Sequence, residues 1–498
     1  MDRRTLLKGA AAGVGLAATS GVRALAGPAN IALPSLGGLQ RPAKTPVEHL
    51  VVVMMENRSL DHYLGWYGAE NPHFDGIQDA AFPDLRQGPD GPLVHTAPWG
   101  VRGGSNYHGR GWADPSHGWS GGRYERNGGA CDGWLHPDTG NDEFCLSTYD
   151  ALDLPTWSQL VRGWQSYDRW HASLLGPTQP NRYYLHSGQS AGFKSNDLPP
   201  EVAQDHPEWA AGWDWPTVWT LFERYGMSSA YYFSNLPELA FWGPRHLSHA
   251  RHVSTYFADA AAGTLPQVSY IDPFFIFEPG PGNDDHPHAD IRLGQQFLSD
   301  IVEAFVTSPC YERGALVVTY DEWGGFWDHV APPRVRDDRA TDRDPGGADD
   351  FGQLGFRIPS SIVSPWTRGE RVDHTTYEHG STVKFIADNW NLPYLTQRVR
   401  FTNSIERAFR GFRRFDPSPN FVPYQAPPIL WTESLLEEAG VDPIAEDDED
   451  REFKRAVDLG WFDNLPVRID HRFEDGFLRP SDVTAMLKNV ATVRIPTL

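Results

Sequence analysis

The sequence feature that most constrains the fold is an apolar run that stops at two carboxylates. Leu316–Thr319 is short and β-branched, and after one further residue come Asp321 and Glu322, then Gly324 and Gly325. Such a run is typical of a strand buried on both faces, and ligands of open α/β sheets gather where strands end. Adjacent carboxylates can offer oxygen atoms on two sides of a cation, and glycines let the backbone bend sharply. The alternative is a strand followed by a solvated acidic turn.

A second stretch near the N-terminus has the same build. Leu50–Met55 is an apolar run of the kind expected for a buried strand, and it stops at Glu56 and Asn57. A carboxylate and a carboxamide supply oxygen ligands that hard cations prefer. Asn57 could instead be the N-cap of a helix that begins at Ser59 or Asp61. The residues alone leave both interpretations open.

Four sequence blocks follow one another along the chain: MMENRSLDHYLG at Met54–Gly65, LLGPTQPNRYYLHSG at Leu174–Gly188, DEWGGFWDHVAPP at Asp321–Pro333, and RIPSSIVSPW followed by TYEHGSTVKFI at Arg357–Trp366 and Thr376–Ile386. Together they resemble the bacterial phosphoesterase family of non-haemolytic phospholipases C and secreted acid phosphatases, part of the alkaline phosphatase superfamily. Their order and approximate spacing fit from about Val47 to Leu392. Leu60 stands where the family has Phe, and Glu378 and Gly380 depart from the family's Asp-His-Thr-Ser pattern. The resemblance implies a three-layer α/β/α sandwich with a mostly parallel central sheet, alkaline-phosphatase-like, with long loops and a C-terminal extension.

The second block holds the predicted nucleophile, Thr178. It lies in a Gly-Pro-Thr-Gln-Pro-Asn turn, and Arg182 and the residues after it can begin a helix. Helix N-termini provide positive potential and free backbone N–H groups, which suit an alkoxide or a phosphate. Spacing alone favours an ordinary threonine cap; the resemblance aligns the family's nucleophile with Thr178. A threonine there is closer to the phospholipase C branch than to the acid phosphatase branch.

The resemblance and the residue chemistry together predict one metal centre. Its ligands are Glu56, Asn57, Thr178, Asp321 and Glu322. This all-oxygen set suits one divalent ion, with Ca²⁺, Mg²⁺ or Mn²⁺ favoured over Zn²⁺. Coordination lowers the pKa of a threonine hydroxyl, and the ion can take up charge on a phosphoryl oxygen. We therefore expect a covalent phosphothreonine intermediate that water hydrolyses.

Four histidines are candidates to protonate the leaving group or hold the phosphate: His117, His286, His329 and His379. His117 lies in a D-P-x-H-x-W stretch similar to one in the family, and His286 precedes a proline as in the family's His-Pro block. His329 belongs to the third block and His379 to the fourth. The sequence does not rank them.

The predicted function is phospholipase C-type hydrolysis of a phosphodiester such as phosphatidylcholine. The alternatives are an acid phosphatase on the same site and a non-catalytic, metal-stabilised binding protein. The phosphate-ester substrate could be a phospholipid head group. Four tryptophans between Trp209 and Trp219 could form a cation–π cage for a quaternary ammonium group, or could be lid packing.

Charge and the terminal segments bear on partners and location. The formal net charge of −22 argues against nucleic acid and anionic lipid as partners. Arg3 and Arg4 precede a weakly apolar run and Ala24–Ala26, which predicts a twin-arginine signal at 1–26. That signal implies the twin-arginine export machinery and a periplasmic or extracellular location. No later apolar run is long enough for a transmembrane segment in the mature chain.

The remaining organisation follows from composition. We expect a linker at 27–45, a catalytic domain at 46–416, and a C-terminal extension at 417–498 that packs on it. In an oxidising compartment Cys131 and Cys145 could pair and leave Cys310 alone. The absence of C-x-x-C spacing argues against a structural zinc site.

Overall fold

The computed structural model describes residues 42–197, 212–235, 237–275, 282–339, 350–369, 371–409, 411, 413 and 420–427. The strands in these ranges are β1 His49–Met55, β2 Ala81–Pro83, β3 Leu93–His95, β4 Ala97–Pro98, β5 Ser147–Thr148, β6 Gln165–Tyr167, β7 Ser229–Phe233, β8 Ala250–His252, β9 Val268–Ile271, β10 Gly314–Tyr320, β11 Ser361–Val363 and β12 Val372–Asp373. The α-helices are α1 Leu60–Leu64, α2 Tyr67–Glu70, α3 Trp119–Arg126, α4 Pro155–Gly163, α5 Thr178–Ser187, α6 Val218–Tyr225, α7 Ser254–Ala262, α8 Ile291–Thr307, α9 His379–Asn389 and α10 Gln397–Phe401.

Eight strands form one mixed sheet in the order β12-β6-β11-β10-β1-β9-β7-β8. β1 lies at its centre and pairs in parallel with β10 and β9, so that Met55 and Tyr320 are register partners. Both central strands are apolar and buried along almost their whole length, as the sequence predicts for strands covered on both faces. β11 is antiparallel to both of its neighbours. The prediction of a mostly parallel α/β sheet is confirmed.

Helices cover both faces of the sheet. Tyr231 and Tyr232 are consecutive in β7, and consecutive strand residues point to opposite faces. The Tyr231 ring lies 5.9 Å from that of Trp219 in α6, whereas the Tyr232 ring lies 5.6 Å from that of Tyr256 in α7. Tyr256 in turn donates to the carbonyl of Ile301 in α8 (3.0 Å). The fold is thus a three-layer α/β/α sandwich.

Several local predictions are right and one alternative is excluded. The strands predicted for the apolar runs that begin at Leu50 and Leu316 form as β1 and β10. Helix α1 begins after Ser59, which occupies the N-cap position, so Asn57 is not a helix cap. Asn57 instead has a φ of 58° and turns the chain out of the sheet.

Some predictions concern parts of the chain outside the described residues. These include the signal at 1–26 and most of the C-terminal extension, so export and the packing of that extension stay predictions. Cys131, Cys145 and Cys310 are all buried free thiols, so the suggested Cys131–Cys145 bridge is not formed. Among the described residues, no helix has the length and apolar composition needed to cross a membrane.

Candidate active site

The ends of β1 and β10 place their polar pairs side by side. Because the strands are parallel and in register, the chain leaves both at the same edge of the sheet. The backbone N–H of Asp321 donates to the Met55 carbonyl (3.1 Å), and the backbone N–H of Asn57 donates to Asp321 Oδ1 (3.0 Å). Glu56, Asn57, Asp321 and Glu322 are all buried. The two stretches recognised in the sequence therefore meet.

Two glycines of the third block allow this close approach. Gly324 and Gly325 have φ values of 64° and 68°, which non-glycine residues rarely adopt. A Cβ on Gly324 would lie 2.0 Å from the Asn57 carbonyl oxygen, and a Cβ on Gly325 would lie 2.6 Å from the backbone of Pro115. The turn thus fits against the first block on one side and the His117 loop on the other.

Thr178 joins this edge as the first residue of α5. It is fully buried, and its Oγ1 lies 3.4 Å from the Asn57 amide. The Asn181 side chain holds the turn before the helix: its Oδ1 accepts from the Leu174 amide (2.8 Å), and its Nδ2 donates to the carbonyls of Gly176 (2.8 Å) and Pro177 (3.1 Å). The hydroxyl is therefore presented by a fixed turn.

The Asn57 amide connects the carboxylates, the threonine and a histidine. The Asn57 side chain ends in an oxygen and a nitrogen. The one of these two atoms that faces Thr178 also lies 2.8 Å from Glu322 Oε1 and 3.1 Å from Asp321 Oδ1. The other lies 2.9 Å from His286 Nε2. A nitrogen facing the carboxylates donates to both, and the oxygen then accepts from His286, so this orientation satisfies the amide by itself. With the amide turned over, its oxygen and the two carboxylates form a set of hard oxygen donors of the kind that binds a divalent cation.

A buried arginine, which the sequence did not single out, organises the carboxylates. Arg182 lies one helical turn after the threonine, and its Nη2 donates to Glu56 Oε1 (2.9 Å) and its Nε to Asp321 Oδ2 (3.1 Å). Its Nη1 lies 3.3 Å from Asp272 and 3.9 Å from Glu238. Burial raises the pKa of Asp272 to about 6, although Arg182 opposes this shift. One guanidinium thus faces four carboxylates, and the excess of negative charge is the environment a divalent cation requires.

Two of the four candidate histidines lie at this edge. His117 Nδ1 is 2.7 Å from the Pro115 carbonyl, which can only accept, so this nitrogen carries a proton. In the neutral ring its Nε2 is then a lone-pair donor, 4.0 Å from Glu322 Oε1. Asp114, His117 and His286 each offer one ligand atom, and these atoms lie within 4.8 Å of one another. This group could itself hold a metal ion.

The other two histidines have different surroundings. His379 begins α9, and its Nε2 lies 2.7 Å from the backbone carbonyl of Asp321, to which it donates. Burial lowers the pKa of His379 to about 4, so the ring is neutral near pH 7. His329 binds Asp61 through Nδ1 and lies 3.2 Å from Asp75 through Nε2. His379 thus supports the β10 end from behind, whereas His329 belongs to a separate group of ion pairs.

The described tryptophans of the 209–219 region pack together. The rings of Trp213 and Trp215 are stacked 5.3 Å apart and both contact Tyr183 edge-on, while Trp219 contacts Tyr270 of the sheet. They are buried, which favours packing over an open cage. Trp209 lies outside the described residues.

Comparison with known proteins identifies the class to which this fold and site belong. The family model for the phosphoesterase family matches residues 47–393. The chain therefore belongs to the phosphoesterase family, as the four blocks predict.

Two relatives found by sequence agree with this assignment. A non-specific phospholipase C1 from Arabidopsis thaliana is 30% identical over 413 residues, which cover 74% of this chain and 73% of that protein. A phospholipase C B from Mycobacterium tuberculosis is 30% identical over 397 residues, 70% of this chain and 74% of that protein. A solved structure of an alkaline phosphatase superfamily protein from Vibrio parahaemolyticus aligns over 93% of this chain and 97% of that chain, at 11% identity and a TM-score of 0.34.

Proposed function

We propose that this chain hydrolyses phosphodiesters in the manner of a phospholipase C, with Thr178 as the nucleophile and a phosphatidylcholine-like lipid as substrate. The observation that carries the proposal is the burial of the Thr178 hydroxyl at a helix N-terminus, 3.4 Å from the Asn57 amide that also contacts Asp321 and Glu322. The phospholipases C among its relatives support a diester substrate.

The proposed metal centre holds one divalent cation, Ca²⁺, Mg²⁺ or Mn²⁺ in preference to Zn²⁺. Its ligands would be the oxygen atoms of Glu56, Asn57, Thr178, Asp321 and Glu322. When bound, the cation would lower the pKa of the threonine hydroxyl and take up charge on a phosphoryl oxygen. Arg182 positions two of these carboxylates by donating to both.

The chain's own residues supply the proposed chemistry. Thr178 Oγ attacks phosphorus while the bond to the diacylglycerol oxygen breaks, and the hydroxyl proton passes to that oxygen through a histidine. His117 suits this transfer because its Nδ1–H is fixed by the Pro115 carbonyl, which leaves Nε2 to accept and release a proton. His286, 2.9 Å from the Asn57 amide, would hold the phosphate. The head group stays on phosphorus, so the intermediate is a phosphodiester that joins Thr178 to the head-group alcohol. Water then hydrolyses the bond to Thr178 and releases the head-group phosphomonoester.

Replacement of the nucleophile tests the proposal. Thr178→Ala should lower kcat on a short-chain phosphatidylcholine by at least about a thousandfold, because no covalent intermediate can form. Thr178→Ser, which keeps a hydroxyl, should retain measurable activity. Mass spectrometry after acid quench should find a phosphocholine adduct on Thr178 in the wild type.

A monoester substrate separates the diesterase from an acid phosphatase. We expect kcat/KM for the diester to exceed that for p-nitrophenyl phosphate. Wild-type rates in Thr178→Ala would refute the assigned nucleophile, and the absence of all hydrolysis in the metal-supplemented wild type would leave the binding-protein alternative.

A further inference from the structure

Three apolar side chains project from two neighbouring loops beside the candidate site. Leu152 is 75% exposed, Val101 is 47% exposed and Trp112 is 40% exposed. A single exposed apolar residue needs no explanation. These three lie on segments of the chain that contact one another, and together we call them the apolar rim.

Backbone contacts bring the two loops of the apolar rim together. β4 pairs in parallel with β5, so the segments that follow them run side by side. The Val101 amide donates to Asp153 Oδ1 (2.8 Å), which joins the Val101 loop to the turn that carries Leu152. Gly100 permits the approach, because a Cβ there would lie 2.1 Å from the Asp153 carboxylate.

Trp112 completes the apolar rim through a buried partner. Its ring meets that of Trp99 edge-on, with the centroids 5.0 Å apart, and Trp99 is 7% exposed. Trp99 lies two residues before Val101, and its amide donates to the Thr148 carbonyl (2.8 Å). The contact with the buried Trp99 ring therefore fixes the position of the Trp112 side chain, whose outer edge is exposed.

The apolar rim is continuous with the candidate active site. The Trp112 carbonyl accepts from His288 Nε2 (3.2 Å), and the Gly109 amide donates to the Pro287 carbonyl (2.9 Å). His286 lies one residue before Pro287, and Asp114 lies two residues after Trp112. The loop that carries Trp112 thus also carries Asp114, and it contacts the loop that carries His286.

The charges around the apolar rim are paired, although the chain as a whole is strongly acidic. Arg102 lies 2.9 Å from Asp150. Arg292, which also lies over the Tyr107 ring, contacts Asp290 at 2.5 Å. A net charge of −22 opposes approach to an anionic membrane, but the local balance at the rim permits approach to a zwitterionic one.

We propose that the apolar rim docks on a zwitterionic phospholipid surface and inserts Val101, Leu152 and the edge of Trp112 among the head groups. Aliphatic and indole side chains at loop tips suit a membrane interface, where no shaped complementary surface is needed. Docking there would bring the candidate site to the phosphodiesters of the bilayer. The proposal rests on the proposed function for its biological purpose, but membrane binding can be measured without hydrolysis.

A double substitution tests the apolar rim. Val101→Ser with Leu152→Ser changes two exposed side chains and leaves the Trp112–Trp99 contact intact. We expect the variant to partition at least about tenfold more weakly than the wild type in co-sedimentation with phosphatidylcholine vesicles, because two apolar side chains no longer leave water. Phe401→Ser is the matched control, since Phe401 is 50% exposed on α10; it should partition as the wild type does.

Activity measurements separate docking from chemistry. The double variant should hydrolyse vesicle phosphatidylcholine about tenfold more slowly and a monomeric short-chain diester at the wild-type rate. Equal vesicle partition of the double variant and the wild type, or equal losses in the double variant and Phe401→Ser, would overturn the proposal. A wild type that binds vesicles through the rim but hydrolyses neither substrate would contradict the proposed function and leave the docking surface intact.

Discussion

The first and third sequence blocks each contribute residues to two buried regions that differ in their balance of acidic and basic side chains. Their leading residues, with two residues of the second block, form the site cluster, which we define as Glu56, Asn57, Thr178, Arg182, Asp321 and Glu322. Their trailing residues, with one residue of the fourth block, form the ion-pair cluster, which we define as Asp61, Asp328, His329 and Arg357. In the site cluster one guanidinium contacts two of three carboxylates, so the carboxylates are in excess. In the ion-pair cluster two carboxylates meet two basic side chains.

The ion-pair cluster pairs both of its buried carboxylates with its own basic side chains. Arg357 donates to Asp61 (3.0 Å) and to Asp328 (2.9 Å), and all three are fully buried. Burial raises the pKa of Asp328 to about 6 even beside Arg357. Such a network is costly to break and gains nothing from an added cation. The difference teaches that acidic residues in one motif can serve different ends, and that only those with unbalanced charge mark a metal site.

The largest expected effect comes from breaking the ion-pair cluster. Arg357→Met should destabilise the protein by about 3 to 5 kcal/mol, because Asp61 and Asp328 would be left buried without their shared partner. The loss should be smaller at pH 5 than at pH 8, since Asp328 is neutral below its raised pKa. Urea unfolding at both pH values measures it.

Arg169→Met is the matched control for Arg357→Met. Arg169 also binds an aspartate, Asp75, but their side chains are 28% and 40% exposed. An exposed pair contributes about 1 kcal/mol or less. If the two variants lost the same free energy of unfolding, burial would not distinguish the contributions of these two ion pairs to stability.

Local pattern was enough to predict the two strands, and the family resemblance was needed to bring Glu56 and Asp321 into one predicted centre. Both acidic pairs directly follow buried apolar runs, and parallel strands in register deliver their ends to one edge. The role of Arg182 was not predictable, because its partners Glu56, Asp272 and Asp321 lie 90 to 139 positions away along the chain.

The histidines could not be ranked from the sequence for the same reason. His329 shares a block with Asp321 and Glu322, yet the partner of His329, Asp61, lies 268 positions away. The sequence around Asp114 did not indicate a functional role for it, since its proximity to His286 depends on how a long loop folds. Side chains on loops take their environment from tertiary contacts, which spacing does not encode.

An intermediate effect should come from adding the metal. If the site cluster and not the ion-pair cluster binds a cation, Ca²⁺, Mg²⁺ or Mn²⁺ at about 100 times its Kd should raise the free energy of unfolding of the EDTA-treated protein by about 2.7 kcal/mol. Asp321→Asn, which removes a proposed ligand and lowers the negative charge, should lose most of this stabilisation. Differential scanning calorimetry with and without EDTA measures it.

His329→Gln is the control for the metal response. Because His329 lies in the ion-pair cluster, the variant should keep the full stabilisation by metal. If the stabilisation by metal survived in Asp321→Asn but disappeared in His329→Gln, the cation would lie in the ion-pair cluster, and the assignment of the metal to the site cluster would be wrong.

The smallest expected effect is the pH dependence of His329 itself. Burial opposes the charged ring, but the hydrogen bond and the charge of Asp61 outweigh it and raise the pKa of His329 above its ordinary value. The folded protein therefore holds this proton more tightly than the unfolded chain does. The resulting stabilisation is complete below about pH 6.5 and is lost as the pH rises through the folded pKa.

His329→Gln should remove that pH dependence, since glutamine cannot be charged. We expect the variant to be less stable than the wild type by about 1 to 2 kcal/mol at pH 5.5, with the difference shrinking at pH 9. Its kcat on the short-chain diester should stay within about threefold of the wild type, because the ring binds Asp61 and not the site cluster. A hundredfold loss of kcat with unchanged stability would instead move His329 into the chemistry, and the division between the two clusters would fail.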